Sequence, residues 1–122
     1  MTLQENTSKL CDELLKAEYI LNTEYSFDRA EPSYRKCLAM IALAPNERTA
    51  FEDVLVDLFL SKAISSEPLA YLMHVLRWQK VRLAVEADLH KHAVQIATGV
   101  EHAKVLDGFQ DDWENKEFYQ FR

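Results

Sequence analysis

Glycine is almost missing from this chain. Only Gly99 and Gly108 occur among 122 residues, so the first ninety-eight contain none. Strand-rich folds use glycine in their tight turns, whereas short helical connections do without it, so the scarcity argues against a sheet protein. Proline is sparse as well, and Pro32, Pro45 and Pro68 cut the glycine-free stretch into helix-sized pieces. The two cysteines, Cys11 and Cys37, stand far apart with no CxxC or metal-type spacing. Both fall among apolar neighbours at helical spacing, which reads as buried free thiols. No uninterrupted apolar run approaches the ~18 residues that span a bilayer, and "MTLQENTSKL" lacks a basic-then-apolar leader. The expected setting is cytoplasmic and reducing, with no membrane as partner.

Basic residues are also in deficit. Fourteen Lys and Arg face twenty Asp and Glu, a net charge of −6. Phosphate binding relies on accumulated cations, so nucleic acid is not the expected ligand; a basic protein is. The imbalance is uneven. Residues 1–60 hold eleven acids and six bases, residues 61–104 four acids and six bases, and residues 105–122 five acids and two bases. Acidic ends thus flank a mildly basic middle that carries all four histidines. What is present is ample core material: 48% of the chain is hydrophobic and 11% aromatic, enough for one globular domain over residues 1–122.

Hydrophobic spacing places the helices. Residues 3–22 repeat Leu10, Leu14, Ala17 and Leu21 on one face, behind a capping box of Thr2 and Glu5. Residues 30–44 follow, with Asp28 and Glu31 serving the N-terminus, Pro32 in the first turn and Pro45 closing it. A third helix over 47–63 opens at Asn46, or at Thr49 with Glu52 as a capping box. Its apolar residues, Phe51 to Leu60, spread widely enough to mark it as central. Ser65-Ser66-Glu67-Pro68 starts a fourth.

Leu69, Leu72, Met73 and Leu76 then make one stripe, and Val81, Val85, Leu89 and Ile96 another. The two do not join at a 3.6-residue period, which favours a break near Arg77–Lys80. One continuous helix stays open as well, since neither Pro nor Gly lies there. The last piece, 80–98, is expected to end at Gly99 as a C-cap. "VEHAKVLDG" suits a short helix and "DDWENKEFYQF" a final turn or two. "EPSYRKCLAMIAL" and "EPLAYLMHVLRW" begin 36 residues apart, each with Glu-Pro. Paired helices at that period build HEAT-type arrays, and a plain bundle fits equally. The fold class is all-α, an antiparallel array or bundle of five to six helices.

Catalytic constellations are lacking. There is no P-loop, dinucleotide-binding glycine pattern, nucleophile elbow or HExxH. His90 and His92 point roughly 160° apart on a helix and cannot share a metal. Glu86 with His90, and Asp88 with His92, have the spacing of solvated ion pairs. His74, between Met73 and Val75, reads as a core-edge histidine. No catalytic residue, metal site or cofactor is expected, and the chain is not read as an enzyme.

Surface recognition remains. Glu52, Asp53 and Asp57 form an acidic edge on an apolar helix. Asp111, Asp112, Trp113, Glu114 and Tyr119 mix acids with aromatics, a composition that suits a basic partner gripped by rigid anchors. Equally, Trp113, Phe118 and Tyr119 would pin the terminal segment to the bundle. Trp78, beside Arg77, Lys80 and Arg82, reads as a tryptophan plugging a helix corner.

"EPLAYLMHVLRWQKVR" (67–82) and "DDWENKEFYQF" (111–121) resemble segments of small bacterial HEAT-like helical proteins, some of which are immunity proteins paired with secreted or contact-delivered toxins. Gln79 stands where a proline often follows the tryptophan in those segments. The resemblance implies a cytoplasmic non-enzyme that binds its own toxin and blocks the active site or substrate access. Asp53, Asp57, Asp111, Asp112 and Glu114 would then face a basic toxin domain. Two other readings stay open: an adaptor module in another protein complex, and a small-molecule or enzymatic bundle using His74, His90 and His92.

Overall fold

A computed structural model describes residues 3–91 and 96–121; Thr2, His92 and the side chain of Ile96 lie outside the described residues. Among the described residues six α-helices follow one another: α1 (Leu3–Glu24), α2 (Phe27–Leu43), α3 (Arg48–Leu60), α4 (Ser66–Leu76), α5 (Gln79–Lys91) and α6 (Ile96–Gly108). Short 3₁₀ turns occupy Pro45–Glu47 and Glu114–Phe118, and no strand occurs among the described residues. None of the described helices is long and apolar enough to cross a membrane.

The expected stripes become the core. Leu10, Leu14 and Ala17 of α1, Tyr34, Cys37 and Ile41 of α2, and Phe51, Leu55 and Phe59 of α3 are all buried in one cluster. Burial, helped by the Glu13 carboxylate, pushes the Cys37 thiol up to about 12, so it stays protonated and unreactive. α3 packs on α1 and α5, yet Asp53, Asp57 and Leu60 remain exposed. The helix enclosed on all sides is α4, in which every residue from Ser66 to Met73 is buried. It touches α1, α2, α3 and α6.

Two helix starts differ from the expected ones, and a third helix takes its cap from a partner distant in sequence. α2 begins three residues early, where the Ser26 hydroxyl accepts from the Arg29 N–H at 3.4 Å. Pro32 therefore falls in the second turn and removes the donor that would meet the Asp28 carbonyl. Neither Asn46 nor Thr49 caps α3, which grows straight out of the 3₁₀ turn. The N-terminus of α4 is capped from α1: the Glu18 carboxylate accepts from the Ser65 N–H at 3.1 Å and the Ser65 hydroxyl at 2.8 Å. A carboxylate there also complements the helix dipole.

The stretch 67–91 is two helices. Arg77 takes a left-handed conformation, φ 55° and ψ 38°, and its N–H closes on the Met73 carbonyl at 2.8 Å. Such a backbone costs about 1–2 kcal/mol for a non-glycine residue. The Arg77 guanidinium offsets it by donating to the carbonyls of His74 and Phe109 and to Asp111. Trp78 is buried in this corner, with the Arg48 guanidinium 5.0 Å above its ring. Gly99 is not a C-cap: it lies within α6 and has no positive φ. The glycine that matters is Gly108, where α6 crosses α4 so closely that an added Cβ would sit 2.6 Å from the Ala70 carbonyl oxygen.

Candidate functional site

After Gly108 the chain turns and lays residues 113–121 across the first turns of α2 and α4. Two buried glutamates receive it, each followed by proline in the 36-residue repeat. Glu31, 2% exposed, accepts from the Gln120 N–H at 2.9 Å, the Phe121 N–H at 2.8 Å and the Tyr71 hydroxyl at 2.7 Å. Glu67, 8% exposed, accepts from the Tyr119 hydroxyl at 2.6 Å and the Asn115 amide at 3.0 Å. Between them the Tyr119 ring meets Tyr71 edge-on at 4.7 Å, and Phe121 stacks on Tyr71 at 4.7 Å. Phe118 is half exposed but stacks on Phe27 at 4.9 Å.

The two carboxyls respond oppositely to their surroundings. Burial pushes Glu31 up, but the Gln120 N–H, the Tyr71 hydroxyl and the Phe121 N–H outweigh it, with Arg35 assisting, and hold it below its ordinary value of 4.5. For Glu67 burial prevails over the bonds from Tyr119 and Asn115, so its carboxyl is raised. Burial and the adjacent carboxylates push the hydroxyls of Tyr71 and Tyr119 far up, so both remain donors.

A pH dependence follows. The Glu31 contribution is complete above its unfolded value and is lost as pH falls through the lowered folded one. The Glu67 contribution is greatest below its unfolded value and is lost as pH rises through the raised folded one. Urea unfolding of wild type, Glu31→Gln and Glu67→Gln between about pH 3 and pH 7 checks both. On acidification the wild type should lose its advantage over Glu31→Gln and improve relative to Glu67→Gln. Parallel profiles for all three proteins would contradict the assignment.

The terminal segment also walls an open cleft of about 770 Å³, bounded opposite by Leu21, Tyr25 and Phe27 at the α1–α2 corner. Its lining carries Glu67, Glu101, Asp107, Asp112 and Glu114 against Lys104. Tyr25 is 87% exposed at the lip.

The expected partner-binding residues are divided by this arrangement. Asp112 and Glu114 line the cleft, and Asp111 is exposed beside it while accepting from Arg77 at 3.0 Å. Trp113 and Tyr119 are turned inward, 4% and 8% exposed, and pin the segment instead of offering a face. On α3, Glu52 is buried, 3.6 Å from Arg48, while Asp53 lies 3.6 Å from Lys80 and Asp57 is exposed. No α3 residue lines the cleft.

Of the two expected histidine pairings, that of Glu86 with His90 gives way to one with Arg82, and that of Asp88 with His92 lies outside the described residues. Glu86 pairs with Arg82 at 2.8 Å, and Asp88 with the buried His102 at 2.8 Å. His74 Nδ1 lies 2.9 Å from the Gly108 carbonyl, with its ring 5.2 Å from Trp113. No group of three metal-binding side chains occurs among the described residues. Glu31 and Glu67 were not legible as site residues from helix rules alone, because a glutamate in a first turn reads as a dipole partner. The repeated Glu-Pro was the signal that could have found them. Comparison of the chain with protein-family models, with curated proteins and with solved structures finds no match.

Proposed function

We propose that this chain is a non-catalytic protein-binding module of the cytoplasm, an immunity protein that binds and neutralises a cognate bacterial toxin. The observation that carries the reading is the acidic cleft with an exposed aromatic lip: five carboxylates and one lysine among its described lining residues, and Tyr25 standing free beside them. A basic groove or a cluster of Lys and Arg on a toxin complements that surface, and opposite charge speeds the encounter. An exposed tyrosine is a frequent source of binding energy where a partner covers it and removes it from water. The resemblance of residues 67–82 and 111–121 to immunity proteins supports the same reading.

The test is coexpression of the tagged chain with its flanking genes, followed by purification. A toxin recovered at equal stoichiometry, with toxicity suppressed, supports the reading; recovery of the chain alone or of a metabolic complex refutes it. With the toxin in hand, the triple variant Asp107→Asn, Asp112→Asn, Glu114→Gln should associate about tenfold more slowly at low salt and show a flatter salt dependence. Unchanged stopped-flow kinetics would remove the cleft from the interface.

A further inference from the structure

Residues 113–121 are held in the manner of a bound peptide. Tyr119 is extended, φ −123° and ψ 157°, the chain turns at Phe121, φ 55°, and the N–H groups of Gln120 and Phe121 are taken by a side chain of α2, not by backbone. Two carboxylates that are almost wholly buried would be costly without partners. Here the segment donates hydrogen bonds to Glu67, and the segment and Tyr71 donate them to Glu31. The aromatic floor formed by Tyr34 and Tyr71 receives the rings of Tyr119 and Phe121 at alternate positions.

We propose that the groove between the first turns of α2 and α4 is a peptide-binding site, filled in cis by the chain's own C-terminal segment. Its ligand class is a segment of a partner protein with aromatic residues at positions i and i+2, the first extended and bearing a hydroxyl, the second at a turn of the backbone. Glu31 reads two consecutive backbone N–H groups, Glu67 reads the hydroxyl, and Tyr71 seats the second ring. The tethered segment acts at a millimolar-range effective concentration, so an outside peptide competes only when the tether's own contacts are weakened. The segment is therefore an autoinhibitory strap. This inference does not depend on the toxin reading, because it concerns the groove that the strap covers, although Glu67 and the strap border the acidic cleft as well.

A fluorescein-labelled peptide with the sequence of residues 110–122 tests it, titrated by anisotropy into the full chain and into full-length Tyr119→Ala/Phe121→Ala. The double variant should bind at least about tenfold more tightly than wild type, because its own strap no longer competes. Adding Glu31→Gln to that variant should weaken binding about tenfold again, and a peptide with both aromatics changed to alanine should not bind. Equal affinity for wild type and variant, no saturable binding to the folded variant, or equal binding of the altered peptide would each overturn the proposal. If the double variant loses its helical circular dichroism, Phe121→Ala takes its place under the same criteria, since that ring lies at the groove's edge.

Discussion

Glu31→Ala should lower stability by about 3 kcal/mol at neutral pH and free the end of the chain. One carboxylate, 2% exposed, takes three hydrogen bonds: two from the backbone N–H groups of Gln120 and Phe121 and one from the Tyr71 hydroxyl. Truncation leaves the buried Tyr71 hydroxyl and two partly buried backbone N–H groups without that acceptor, at up to about 1–3 kcal/mol each if nothing relaxes. Relaxation is available, because the segment can lift away and give its N–H groups to water. The loss is therefore capped near the free energy that seats the segment. Tyr71→Phe, which removes one donor and keeps the ring, should cost about 1 kcal/mol. Urea unfolding measures the totals, and amide exchange at residues 119–121 shows where they arise. A loss below about 1 kcal/mol with unchanged protection would mean that the aromatic rings, not Glu31, hold the segment.

Gly108→Ala should cost about 3 kcal/mol, at the upper end of overpacking effects. The new Cβ would meet the Ala70 carbonyl oxygen at 2.6 Å, its Cα at 2.9 Å and its carbonyl carbon at 3.0 Å. These are backbone atoms of the most buried helix, so no side chain can swing aside. A shift of α6 would strain the contacts of Arg77 with Phe109 and of His74 with the Gly108 carbonyl as well. Gly99→Ala should have the opposite sign. Among the described residues its Cβ meets Leu89 Cδ1 at 3.8 Å, an ordinary contact, and alanine within a helix gains about 0.5–1 kcal/mol over glycine. Thermal melts of the two variants side by side separate close approach from helix propensity. Similar melting temperatures would show that α6 does not cross α4 as described.

The pairing of Glu31 and Glu67 shows how a visible pattern can carry an unexpected meaning. The repeated Glu-Pro was plain at a spacing of 36 residues, and proline early in a helix was readable. That both glutamates face inward to one distant segment was not, since the bonded residues are separated by 89 and 90 positions for Glu31 and by 48 and 52 for Glu67. Trp113 and Tyr119 followed the same logic. Acids and aromatics in one short run fit an exposed binding face and a buried anchor equally well, and only the groove beneath them decides between the two.

By itself the sequence determined the all-helical class, a range of five to six helices, the core stripes and the change of face near Trp78. Those features rest on the 3.6-residue period and on glycine and proline scarcity, which act within a few residues. Tertiary structure decided the rest: Arg77 in a left-handed cap without glycine, Glu18 capping a helix 47 residues away, Gly108 reserved for a crossing, and the C-terminal segment seated on two buried carboxylates. Each depends on groups that meet only when the helices are assembled. A buried charge or a strained backbone is stable only where such a partner arrives, and no local pattern announces that arrival.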